Sequence, residues 1–257
     1  MFGIRLKWLG CACFEMDFDG LHVVSDPWIT VNEKNDLTWE DVEKCDYITL
    51  THSHSDHIRD IPALMEKFPA YLMCGEQTAL PMMKWANVNP MRVYPMSANL
   101  ELDMDKVKIK ALYGRHGPLK GNAEERFAAF EVNKFHGQNE LTKELAVWGD
   151  FEYRNFLYTT PNGTKMVMWG NKIARPDQRN MLKAEGADIG IIQVTGTNKA
   201  EDMAAACKEM GCKVVIPHHI DYPGDYMRQT NALKDALAAI APEIQFIIPE
   251  YNKWIEL

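Results

Sequence analysis

The sequence predicts a layered α/β fold built on mixed sheets. Two observations carry that expectation. The first half of the 257-residue chain is dense in β-runs joined by turn signals, and the second half alternates apolar strands with helical patterns. No internal repeat, low-complexity run or Gly/Ser-rich linker interrupts either half, so a single domain over residues 1–257 is the simplest organisation. Apolar residues make up 46% and charged residues 25%, enough to bury a sizeable core.

The elements follow in order. IRLKWLG and CACFEMD read as strands, and Asp19-Gly20 joins the second to LHVVSDP as a hairpin. Thr38 and Asp41 have capping-box spacing and predict a short helix over TWEDVEKC. DYITLTH is a strand, DIPALMEKF a helix and AYLMCGE a strand. QTALPMMKWAN predicts a helix with Pro81 near its start, where proline is tolerated. VKIKALYGRH is a strand ending at His116. NFLYTT and KMVMWG form a hairpin with Asn162-Gly163 at the turn. ADIGIIQVTG has the unbroken apolar character of a strand covered on both faces. A helix over KAEDMAAACKEMG has Asn198 as N-cap and Gly211 as its stop. KVVIPHH is a strand, QTNALKDALAAIA a helix ended by Pro242, and IQFIIPE the last strand.

Charge and composition narrow the function classes. The net charge is −8 and no basic stripe is present, which argues against nucleic acid as a partner. No apolar run reaches the roughly 20 residues of a membrane-spanning helix, so no membrane is expected. The N-terminal MFGIRLKWLG lacks the pattern of a secretory signal, and the six cysteines form no CxxC pair. A cytoplasmic location with reduced thiols fits best, and Cys11 and Cys13 read as core packing residues. A small-molecule substrate is expected, and a homo-oligomer is left open.

One stretch concentrates chemistry. His52, His54, Asp56 and His57 fall within LTHSHSDHIRD, where an apolar strand gives out. Alternation puts His52 and His54 on one side, and Asp56 and His57 can turn back toward a second point. Imidazoles crowded together need a reason such as a shared cation, the alternative being a polar surface loop, and a carboxylate adds compensating charge. One segment cannot complete such a site. His116, Asn171 and His219 each end a strand, where open α/β sheets build their sites. His218 should face away from His219 and be structural. His22 reads as a half-buried strand residue and His136 as a loop residue. Arg115, Arg175, Arg179 and Arg228 read as solvated charges.

The order HSHSDH, His116, Gly170-Asn171 and Pro217-His218-His219 resembles the metallo-β-lactamase superfamily of hydrolases. KWLGCACF and SDPW look like the branch that includes ascorbate-6-phosphate lactonase. The resemblance implies a four-layer αββα sandwich with two mixed sheets and a site at one sheet edge. It implies a first divalent ion, zinc or manganese, on His52, His54 and His116. A second would be held by Asp56, His57 and His219. Asn171 stands where the family usually places a bridging aspartate, and Cys11 stands where relatives of the branch often have histidine. Asp26 resembles a family aspartate that orients a ligand histidine.

The function implied is hydrolysis by a metal-bound hydroxide of a small anionic lactone, ester or phosphoester, with Asp56 as general base. Two alternatives follow from the same residues. A neutral amide at Asn171 leaves room for one ion in place of two, or for a metal-binding protein of weakened catalysis. The superfamily also contains nucleases and phosphodiesterases.

Overall fold

The computed structural model describes residues 2–116, 140–170, 173–195 and 198–257. Two seven-stranded sheets dominate it. The first begins with β1 (Ile4–Gly10), β2 (Cys13–Phe18) and β3 (Leu21–Ser25), an antiparallel meander. Asp19 and Gly20 both have positive φ (53° and 87°). That matches the twist of a two-residue hairpin, as Asp-Gly predicts. From β3 the sheet turns parallel through β4 (Tyr47–Thr49), β5 (Tyr71–Cys74) and β6 (Val93–Pro95).

Three helices lie in those crossovers: α1 (Ser55–Ile58), α2 (Ile61–Lys67) and α3 (Glu76–Trp85). The capping box at Thr38 and Asp41 forms, but it opens only a single 3₁₀ turn over Trp39–Asp41. The buried Glu15 carboxylate accepts the amides of Glu43 and Lys44, at 3.2 and 3.1 Å, so the chain leaves the helix. Pro81 lies inside α3, because the helix starts at Glu76. The Glu152 carboxylate accepts the amides of Gln77 and Thr78 at the N-terminus of α3, where an anion is favoured.

The second sheet repeats the plan. β7 (Glu101–Asp103), β8 (Lys108–Tyr113), β9 (Arg154–Thr159) and β10 (Lys165–Trp169) run antiparallel. β11 (Ile189–Gln193), β12 (Val214–His218) and β13 (Gln245–Phe246) continue in parallel. The strand before His116 ends at Tyr113, three residues short of the expected end. An unexpected helix, α4 (Glu140–Phe151), leads into β9.

Three more helices follow: α5 (Pro176–Glu185), α6 (Ala200–Met210) and α7 (Met227–Ile240). The N-cap of α6 is Lys199, without a side-chain cap, and Gly211 ends it in the left-handed conformation. The expected last strand is reduced to β13, and the chain closes with β14 (Trp254–Glu256) beside β1.

A continuous core joins the facing sheets. Phe14, Met16 and Phe18 of the first meet Phe156, Tyr158 and Met168 of the second. The Tyr158 hydroxyl and Thr49 Oγ1, 2.7 Å apart, tie β9 to β4. A second core packs the outer face of the first sheet against α2 and α3 through Ile48, Leu64 and Met82. The six cysteines are all buried and none is in a disulfide. Among the described residues, no helix is long and apolar enough to cross a membrane.

Candidate metal centre

The site lies where strands of both sheets run out. β4 carries the chain to Leu50, and Thr51–His54 follow as irregular backbone before α1 begins. His52 is buried and His54 is the residue before α1. His116 follows β8 and His219 follows β12.

His52, His54 and His116 converge, each offering one nitrogen within 4.8 Å of the others. His52 Nε2 lies 3.2 Å from His54 Nδ1. Two nitrogens on one tetrahedral zinc ion are about 3.3 Å apart, so this spacing is that of a ligand pair. The His116 ring lies 4.9 and 4.5 Å from those of His52 and His54. Tyr153 stacks on His52 at 4.7 Å.

The second cluster is Cys11, Asp56 and His219, whose ligand atoms also lie within 4.8 Å of one another. Cys11 is buried in the core between the sheets, as expected, and its Sγ also lies 2.9 Å from His219 Nδ1. Cys13, two residues on, is filler: it packs into the core behind the first sheet. Cys11 lies in the turn between β1 and β2 with φ 49°, whereas Cys13 begins β2, so the two are not alternate residues of one strand. His57 stands between the clusters, its ring 4.0 Å from that of His52 and 5.2 Å from that of His219. Its Nε2 is 3.7 Å from Asp56, and its Nδ1 is 2.9 Å from Asp26. Asp26 is fully buried and also accepts the Thr51 amide and hydroxyl, both at 2.7 Å. It therefore fixes the His57 ring and the start of the histidine loop together.

The electrostatics suit a cation. Burial pushes the pKa of His52 well below its usual value, and the neighbouring imidazoles add to the effect. Burial lowers His116 to about 3 and His219 to about 4. These rings are neutral at pH 7, the form that ligates metal. Asp56 is the opposite case. Burial works against its charge, but His57, His219 and His54 hold its pKa below the usual value. For His57, burial disfavours the charged ring and Asp26 and Asp56 outweigh it, raising the pKa. Buried neutral imidazoles facing an ionised carboxylate are a donor set that fits divalent metal.

Of the remaining expectations, His218 faces away and contacts the Trp169 carbonyl at 3.0 Å, as strand alternation requires. His22 is buried beside Glu15, 2.7 Å away. Arg115 and Arg175 pair with Asp177, and Arg179 with Glu209. Asn171 and His136 lie outside the described residues. Gly170, before Asn171, donates its amide to Asn155 Oδ1 at 2.8 Å.

Sequence reasoning missed Asp150 as well as Cys11. Asp150 Oδ1 lies 3.5 Å from His54 Nε2 and 3.8 Å from His116 Nδ1. It thus faces the His54 nitrogen turned away from His52 and one nitrogen of His116, where a carboxylate can orient metal ligands. Gly149 lets α4 come this close: a Cβ there would lie 2.4 Å from His54 Cδ2. The signal was present. Leu141, Leu145 and Trp148 recur at helical spacing, and an aspartate in a last helical turn opposes the helix dipole.

Comparison with known proteins agrees with this geometry. The profile of the β-lactamase superfamily domain matches residues 5–219. A UPF0173 metal-dependent hydrolase of Bacillus cereus (strain B4264) is 31% identical over 221 residues, covering 84% of this chain and 85% of the relative. Among solved structures, the metallo hydrolase Igni18 of Ignicoccus hospitalis superposes with a TM-score of 0.71 at 17% identity, covering 98% and 97% of the two chains. The metallo-β-lactamase fold protein YhfI of Bacillus subtilis gives 0.63 at 12% identity, covering 98% and 99%. These two likenesses concern the fold alone: an α/β metallo-β-lactamase fold with two mixed seven-stranded sheets flanked by helices. By profile match and by relatives, the chain belongs to the metallo-β-lactamase superfamily and, within it, to the UPF0173 metal-dependent hydrolases.

Proposed function

We propose that this hydrolase cleaves a small anionic lactone, ester or phosphoester, using zinc or manganese. The observation that carries the reading is the convergence of two ligand clusters from distant strand ends, beside a cleft of about 960 Å³. When bound, divalent ions acidify a water and polarise the electrophile's oxygen. His52, His54 and His116 would hold one ion, and Asp56 and His219, with His57 beside them, the other.

The chain's own groups do the rest. Asp56, kept ionised by its imidazole neighbours, accepts the proton of the attacking water and orients it. Asp26 holds the His57 ring in place. Ser55 and Tyr222, neighbours of Asp56 and His219, line the cleft. The rings of Trp28 and Tyr222, 4.3 Å apart, form an apolar wall. Lys34 and Arg59 face the same cleft and can meet an anionic group. Glu33 and Asp36 share the lining, which disfavours a polyanion such as nucleic acid and favours a small substrate.

The test is metal analysis of the purified protein with turnover of phosphorylated lactones, aryl esters and phosphodiesters. One class should be hydrolysed, chelation should abolish turnover, and His54→Ala, which removes a ligand outright, should lower it by at least roughly a hundredfold. Equal turnover by His54→Ala and wild type would sink the reading.

A further inference from the structure

The geometry points to Cys11 as a metal ligand: its thiolate, with Asp56 and His219, holds the second cation. This rests on the metal-centre reading above and adds to it the sulfur and its consequence for the metal.

Three observations carry it. The first is distance. Cys11 Sγ lies 2.9 Å from His219 Nδ1 and 3.8 Å from His219 Nε2, and the three ligand atoms of the cluster lie within 4.8 Å. The second is backbone conformation. Among the described residues, eight non-glycine positions have positive φ, and six of them are Asp or Asn, which tolerate it. The other two are Cys11 (49°) and His219 (57°), the pair in contact. A cysteine has no local hydrogen bond to offset that conformation, so the surroundings impose it. The Cys11 amide donates to Asp221 at 3.0 Å. Its carbonyl accepts Trp8 Nε1 at 3.2 Å and the His219 amide at 3.0 Å. Backbone strain held this firmly clusters at functional sites. The third is charge. In the second cluster Asp56 is the one carboxylate, and a thiolate beside it supplies the second negative charge that balances a divalent ion.

Binding exchanges the S–H proton for a sulfur–metal bond, and the proton leaves to solvent. No oxidation is involved. Soft sulfur favours zinc or cobalt over manganese, so the second position is selective where the all-imidazole position is less so.

Cobalt(II) loading of the metal-free protein tests this. Wild type should bind two ions and show a thiolate-to-cobalt charge-transfer band in the near ultraviolet, and Cys13→Ser should behave the same. Cys11→Ser should lose the band and keep the visible bands of the remaining cobalt. Its affinity for the second ion should fall by more than the roughly 10- to 100-fold that an outer partner costs. Cys11→His should recover two ions without the band. Two cobalt ions with no charge-transfer band in wild type would overturn the thiolate and leave the metal centre standing. No binding of any divalent ion would overturn both.

Discussion

At the scale of single residues, the proposed centre would depend on carboxylates behind its histidines as much as on the histidines. Asp26 holds His57, and Asp150 stands behind both His54 and His116. The substitution Asp150→Asn removes the carboxylate charge that faces both rings with little change in shape. Asp150→Asn is therefore expected to weaken the first ion by roughly 10- to 100-fold, measured by competition with a chromogenic chelator. The second ion should change little. The HSHSDH cluster was legible because its parts are contiguous and a strand end gives them direction. Asp26 was legible only through the resemblance of SDPW to a family motif. Cys11 was not, because its orientation comes from a backbone irregularity pinned by Asp221, 210 residues away in the chain. No local pattern encodes that.

At the scale of elements, turn chemistry was the most readable signal. Asp19-Gly20 and Gly163 adopt the positive φ their hairpins need. Failures occurred where a distant group took over the backbone. The capping box at Thr38 opened one turn because Glu15, on another strand, claimed the next amides. A similar long-range carboxylate helps α3, and it gives a prediction. Glu152 caps that helix and accepts from the buried Arg154 at 3.1 Å. Glu152→Ala removes the cap and leaves Arg154 less compensated, for a loss of about 2–4 kcal/mol in urea unfolding. Helix α4 was missed although its apolar spacing was visible, and the error hid Asp150 with it.

At the scale of the whole molecule, the sheets repeat one plan: an antiparallel meander that turns parallel toward its far edge. The contrast between a hairpin-rich first half and an alternating second half captured the class, but it hid that symmetry. The crowded histidines also set how the metal-free protein meets acid. His52, His116, His218 and His219 have pKa values lowered chiefly by burial, and unfolding returns them to about 6.5. The unfolded chain then binds more protons, so the stability these groups contribute is complete above about pH 6.5. It is lost as pH falls toward their folded values, about 3 for His116 and about 4 for His219. His57 has the opposite sign, its contribution fading as pH rises through its elevated folded value, but it is one group against four. The urea midpoint of the metal-free protein is expected to fall at each step from pH 7 to pH 4. A flat profile would contradict the burial of these rings.

The spread of the ligands along the chain has one more consequence. Cys11 and His219 are 208 residues apart and follow strands of different sheets, yet their side chains touch. Bringing them together closes about four fifths of the chain into a loop, an entropic cost that grows only slowly with length. The pairing exists only once both sheets have formed and docked, so a half-folded chain has no such position to offer. An ion bound there acts as a clasp between the chain's two halves. At a free concentration a thousand times its dissociation constant, it would add about 4 kcal/mol to the folded state. Metal supply would then govern how long the molecule survives, apart from whether it turns over substrate.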